Sequence, residues 1–201
     1  MIKDYLLYFS NSVYKDSLYI HLRRDYQIKD ETKLFNDVEV LYKQGQPIVY
    51  MIHHISKYFK IWMDGYIYLP SKPLIDVVNS ILINAGLEQL AYKNESGFII
   101  GKITTKSPYL HGFYYDIDIK KQIVHSYSTQ EIAVGKKVVV AIENTILDEK
   151  RYFLHYDLEG QQIDAYLVNE KDLSISELDK AIIIEEKCDI GIDFFHLEEK
   201  K

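Results

Sequence analysis

Apolar and polar residues alternate from the beginning of the chain. In YLLYF (5–9) and SLYIHL (17–22) side chains two apart share a face, which is the period of a half-buried strand, and NSVYKD between them has the composition of a turn. These residues predict a β-hairpin. A second hairpin is predicted from VEVLY (38–42) and PIVYMI (47–52), which flank KQGQ; Gly45 there supplies the positive φ that a tight connection needs. The period then lengthens: Leu74, Ile75, Val77, Val78, Ile81 and Leu82 fall on one helical face, with Ser71 placed to cap the helix and Gly86 to end it. The pattern predicts an α+β domain of antiparallel strands plus one helix over residues 1–92.

Beyond the polar KNES (93–96) the pattern is almost all strand. FIIGKI (98–103) is followed by FYYDIDI (113–119), where Tyr115, Ile117 and Ile119 face one way and Tyr114, Asp116 and Asp118 the other. VVVAI (138–142) is apolar throughout, as a central strand covered on both sides would be. RYFLHYDL (151–158) alternates again, AIIIEE (181–186) supplies one more strand, and a short helix is expected near Glu170 to Leu173. Short strands at irregular spacing suit a small closed barrel better than a sandwich, so residues 97–201 are expected to form an all-β OB-like barrel with short helical additions.

Composition narrows the class. With 201 residues, 47% of them apolar, the chain has material for one large or two small cores. No run of about 18 apolar residues exists and no signal-peptide core follows Met1, so the expected protein is soluble and cytoplasmic, with no membrane association. The single Cys188 rules out an internal disulfide framework and a cysteine-rich zinc site. Charge is uneven: residues 1–96 carry 11 Lys and Arg against 11 Asp and Glu, and residues 97–201 carry 13 against 19, for a net charge of -6. An acidic balance opposes strong binding to a polyanion unless the lysines cluster.

IAVGKKVVVAI (132–142) places two lysines after a glycine, as a phosphate loop does, but Gly135 has no partner glycine, Val138 stands where Ser or Thr is required, and a strand follows instead of a helix. It reads as a turn entering a core strand. The seven histidines, at 21, 53, 54, 111, 125, 155 and 196, have no helical ligand spacing, and the adjacent His53 and His54 point to opposite faces of a strand. Asp116 and Asp118 share a wet face, and Cys188 with His125 or His155 is a candidate nucleophile and base; strand alternation and core packing account for both. No catalytic residues, metal ligands or cofactor are assigned, and the chain is expected not to be an enzyme. RNA chemistry has better material. Flat side chains (Tyr109, Phe113, Tyr114, Tyr127) alternate in sequence with cations (Lys102, Lys106, Lys120, Lys121, Lys136, Lys137), and looped RNA is read by stacking beside phosphate contacts. The candidate RNA-binding residues are Lys102, Lys106, Tyr114, Lys120, Lys121, Tyr127, Lys136 and Lys137.

GFIIGKITTKSP (97–108), QIVHSYSTQEIAVGKKVVVAIENTIL (122–147) and DLEGQQIDAYLVNEKDLSI (157–175) together resemble the bacterial tRNA-binding OB module. That module is appended to some methionyl- and phenylalanyl-tRNA synthetases and occurs in free-standing YtpR-type proteins, where a small α+β domain precedes it. The resemblance rests on Gly135, Lys137 and Val138 to Ala141 for the family's Gly-x-Lys-Val-Val-Val-Ala, on Leu158 and Gly160 for its Leu-x-Gly, and on Lys171 and Leu173 in the short helix that follows. The family's RNA-contacting motifs are rewritten. SPYLHGF (107–113) keeps only Pro108 of the His-Pro-x-Ala-Asp-Lys-Leu loop, and residues 125–129 replace Cys-Gly-Ala-x-Asn. Residues 163–166 replace Ser-x-Gly-Met, and Glu159 stands where the family has Arg. The resemblance implies a non-catalytic, translation-associated RNA-binding protein with a degenerate surface, taking tRNA or another structured RNA weakly. The alternative is a protein-interaction module that kept the barrel and lost RNA affinity, with exposed strand edges meeting a protein partner or a second copy in a homodimer.

Overall fold

A computed structural model describes residues 1–22 and 29–200. The protein is mostly β with one α-helix longer than a single turn among the described residues, and its strands form two antiparallel six-stranded sheets plus a separate two-stranded hairpin. The chain divides into two compact units, residues 1–94 with 148–150, and residues 95–147 with 151–201.

In the first unit β1 (Leu6–Phe9), β2 (Ser17–His21), β3 (Glu31–Phe35), β4 (Val38–Lys43), β5 (Gln46–His53) and β6 (Gly65–Ile67) pair in the order β3-β4-β5-β2-β1-β6. Both expected hairpins form. β1 pairs with β2 around the single helical turn α1 (Asn11–Tyr14), and β4 pairs with β5 through Gln44 and Gly45, whose φ angles of 50° and 73° match the strand twist as a two-residue connection must. Register puts Leu7 beside Ile20 and Ile67, Ile20 beside Tyr50, and Tyr50 beside Val40, so one face is continuously apolar. Helix α2 (Lys72–Asn84) covers that face with Leu74, Ile75, Val78, Ile81 and Leu82. Ser71 accepts the Leu74 N–H at its N-terminus, and Gly86 at φ 69° follows its end. β3 and β6 carry no sequence signal of their own: four of the five β3 residues are exposed, and β6 is three residues long.

The second unit is built on β7 (Phe98–Tyr109), β8 (Gly112–Asp118), β9 (Ile123–Ser128), β10 (Lys137–Ile142), β11 (Tyr156–Leu158), β12 (Gln161–Ile163), β13 (Ala165–Leu167) and β14 (Ile183–Ile184). Its main sheet runs β13-β10-β7-β8-β9, with β14 also on β10 and β11-β12 apart. Tyr115, Ile117 and Ile119 point inward as their alternation requires, and Val138 to Ala141 are fully buried in β10, between β7 and β13.

The expectation of a closed barrel is corrected: neither sheet closes. The reason lies at the seam where β9 approaches the residue before β13. Asp164 donates its N–H to the His125 carbonyl at 3.0 Å, but the His125 N–H turns to the Asp164 carboxylate at 2.5 Å in place of a backbone carbonyl. A side chain satisfies the group that would have extended the ladder, so a two-bond clasp stands where a strand pair would close the sheet. The strand expected over 151–158 is also shorter: residues 152–153 pair with 144–146 only as an isolated bridge, and the strand itself spans Tyr156–Leu158.

Candidate nucleic-acid interface

Strand register decides which of the candidate residues share a surface. On the outer face of the second unit's sheet Tyr127 stands opposite Tyr114 and Ser107; the next row is His125, Asp116 and Thr105; the last is Ile123, Asp118, Lys102 and Lys137. The two tyrosines and two of the lysines therefore lie on one face, but at different levels. Asp118 is four residues from Tyr114 along β8, about 13 Å at the strand rise.

The basic level gathers most of the predicted lysines. Lys102 and Lys137 are cross-strand neighbours, Lys136 precedes Lys137, and Lys120 and Lys121 occupy the turn after Asp118, where Lys120 adopts φ 72°. Lys137 is already engaged, donating its ammonium to the carbonyls of Glu186 and Cys188. Lys102, Lys120, Lys121 and Lys136 are exposed and form no ion pair among the described residues. Lys106 is apart from them: it pairs in register with buried Tyr115, on the opposite face, where its ammonium binds Glu131 at 2.6 Å and lies 5.2 Å from the Phe113 ring centroid.

The aromatic level is tied down. Tyr114 donates its hydroxyl to the Gln162 carbonyl at 3.2 Å, and Tyr109 donates to the carbonyls of Leu158 and Glu159, both at 2.9 Å. The two phenols clamp the β11-β12 hairpin against the sheet. Burial, then the charges of Asp116 and Asp164, push the Tyr114 hydroxyl above its ordinary range, so it remains a donor at neutral pH. Tyr127 keeps a partly exposed ring.

Between the two levels sits a polar relay that the residue pattern did not announce. Thr105 donates to Asp116 at 2.6 Å, Asp116 meets His125 Nδ1 at 2.9 Å, and the His125 ring stacks on Tyr114 with centroids 5.6 Å apart. The wet pair Asp116 and Asp118 thus places negative charge between the lysines and the tyrosines. A phosphate chain running from one level to the other passes these carboxylates, which weakens its attraction.

IAVGKKVVVAI is a turn into a core strand, as its composition suggests. Gly135 takes φ 90°, and its N–H is spent on the Ile103 carbonyl at 2.9 Å, leaving no nest of free amides for phosphate. Among the described residues no three His, Cys, Asp or Glu side chains gather for a metal ion. His125 turns to Asp116 and His155 to Glu143 rather than to Cys188.

Register also assembles groups in the first unit that sequence reasoning missed. Ser17 Oγ lies 3.1 Å from His53 Nδ1, and His53 Nε2 lies 3.1 Å from Glu39. Ser17 is 4% exposed, so the chain of contacts serves packing and no substrate reaches the hydroxyl. On the sheet face away from α2, Tyr66, Tyr8 and Tyr19 form one row and His21 lies in the next; with Glu149 they line a hollow of about 370 Å³. Burial pulls the His21 pKa below its ordinary value, and Glu149 partly opposes this. Only knowledge of strand pairing brings these residues together.

No protein-family model matches the chain, and no curated protein matches it. No helix of the described residues is long and apolar enough to cross a membrane.

Proposed function

We propose that residues 95–201 act as an OB-like RNA-binding module of the tRNA-binding class, non-catalytic and cytoplasmic, with weak, phosphate-directed affinity for structured RNA. The strand connectivity supports the fold part of this reading: a β7-β8-β9 meander, β10 returning along β7, and β13 beyond β10 with a clasp back to β9. The observation that carries the function is the lysine level. Lys102, Lys120, Lys121 and Lys136 are exposed, without ion pairs among the described residues, and gathered at one level of the sheet. Affinity is expected to be low because Lys106 and Lys137 are engaged elsewhere and Asp116, Asp118 and Glu159 add repulsion.

Binding of total tRNA across a salt series is the test. Affinity that weakens steadily with salt supports the reading; no detectable binding at low salt, or binding indifferent to salt, overturns it.

One observation favours the protein-interaction reading. Tyr109 and Tyr114, which would stack on bases, are instead used to hold the β11-β12 hairpin. Recovery of a defined protein partner that survives nuclease treatment, together with absent tRNA binding, would decide for it.

A further inference from the structure

Trp62 is the only tryptophan in the chain, and it is 82% exposed. It lies in the first unit, on the loop between the 3-10 turn Ile55–Lys57 and β6. A single exposed apolar residue is ordinary, but the construction of this loop is not. Ile55, Phe59 and Ile61 pack into the core, so every inward position is anchored. Three carboxylates fasten the rest: Asp16 accepts from the Ser56 N–H and hydroxyl at 2.9 and 2.7 Å, Asp37 accepts the Tyr58 hydroxyl at 2.9 Å, and Asp64 accepts the Asn11 N–H at 2.9 Å.

The donors to these three carboxylates are all neutral, so the carboxylates keep their charge, while Lys57 and Lys60 remain exposed with no carboxylate partner among the described residues. Lys60 places its ammonium 3.8 Å from the Trp62 ring centroid. The loop therefore holds out one flat aromatic ring with a cation against it, on a support whose ordering cost is met within the fold.

We propose that this loop is a second RNA contact, where an unpaired base stacks on the Trp62 indole and Lys60 takes the adjoining phosphate. The inference rests on the RNA-binding reading above but uses a different site. A stacked base needs one π-face and a nearby cation, both of which the loop presents, and stacking tolerates any base. Lipid is the poorer occupant. Phe59 and Ile61 turn inward and the Tyr58 hydroxyl is tied to Asp37, so the outward apolar surface is little more than Trp62 and Met63. An acidic protein would meet the cations but has no need of the exposed indole beside Lys60.

Because Trp62 is the sole tryptophan, its fluorescence reads this site alone. Titration of the full chain with a single-stranded uridine dodecamer at low salt is expected to quench that emission without a blue shift, and Lys60→Gln to weaken the binding several-fold. With a dye-labelled dodecamer, Trp62→Ala should bind about tenfold more weakly, while its thermal unfolding matches the parent because the indole is exposed. Absence of quenching overturns the inference, as does unchanged affinity in Trp62→Ala. A blue shift on phosphatidylglycerol vesicles without quenching by RNA overturns it in favour of lipid. Total tRNA that binds with a salt slope while the dodecamer fails to quench removes this site and leaves the first reading standing. A chain with Lys102, Lys120, Lys121 and Lys136 all changed to Gln that loses tRNA affinity yet is still quenched by the dodecamer supports both sites.

Discussion

Ser126 lies fully buried in the second unit, and its hydroxyl has no hydrogen-bond partner. A buried hydroxyl without a partner costs about 1–3 kcal/mol of desolvation. Ser126→Ala is therefore expected to stabilise the protein by roughly 1 kcal/mol, read as a higher urea midpoint at an unchanged m-value. His21 gives a pH-dependent counterpart. Burial lowers its folded pKa, so below about 6.5, the ordinary value, the unfolded chain binds a proton that the folded chain refuses. Stability falls as pH drops from 6.5 toward the lowered folded value, and is fully present above 6.5. Replacing His21 with Gln should flatten the change in urea midpoint between pH 7.5 and 5.5, against the background set by the carboxylates. A steeper change in the variant would refute that account. Neither residue advertised its role: Ser126 is one of several serines, and His21 is one of seven histidines until the tyrosine rows surround it.

Elements were legible where their period is local. The β1-β2 and β4-β5 hairpins and α2 follow from alternation, a glycine turn and a cap, each readable within about 20 residues. β3 escaped because an exposed edge strand buries neither face, so ETKLF carries no period to detect. The 151–158 strand is shorter than its alternation suggests for the converse reason: the period is present, but its first residues find only an isolated bridge to 144–146 and no continuous ladder. The seam at β9 is where an element-scale prediction belongs. Removing the Asp164 carboxylate leaves the His125 N–H without its acceptor, which should lower stability by about 1–3 kcal/mol. Hydrogen exchange should accelerate in β9, and Asp164→Asn, which keeps an acceptor oxygen, should recover most of the protection. Equal exchange in the alanine variant would show that the clasp does not hold the strand.

At the scale of the molecule, a net charge of -6 makes the distribution of lysines matter more than their number. If Lys102, Lys120, Lys121 and Lys136 each meet a phosphate, changing all four to Gln should reduce the log–log salt slope for total tRNA by roughly 3, at about 0.7 to 0.9 per contact. An unchanged slope would move the contact surface elsewhere. The eight candidate residues were chosen for proximity in sequence. The fold gathers five of the lysines at one level, sets Lys106 on the opposite face, and spaces the tyrosines four residues away along β8. Sequence proximity fails there because strand alternation reverses direction at every residue, and the bulge between Ile103 and Thr105 resets which residues share a face.

The amino-acid order alone determined where the two hairpins form, where the helix begins and ends, and that IAVGKKVVVAI would be a strand entry and not a phosphate loop, because each depends on neighbours a few positions apart. Tertiary structure decided whether the second sheet closes, which lysines remain available, and which histidines and tyrosines meet. Those outcomes turn on pairings between segments tens of residues apart, such as Asp164 with His125, whose geometry no local period encodes.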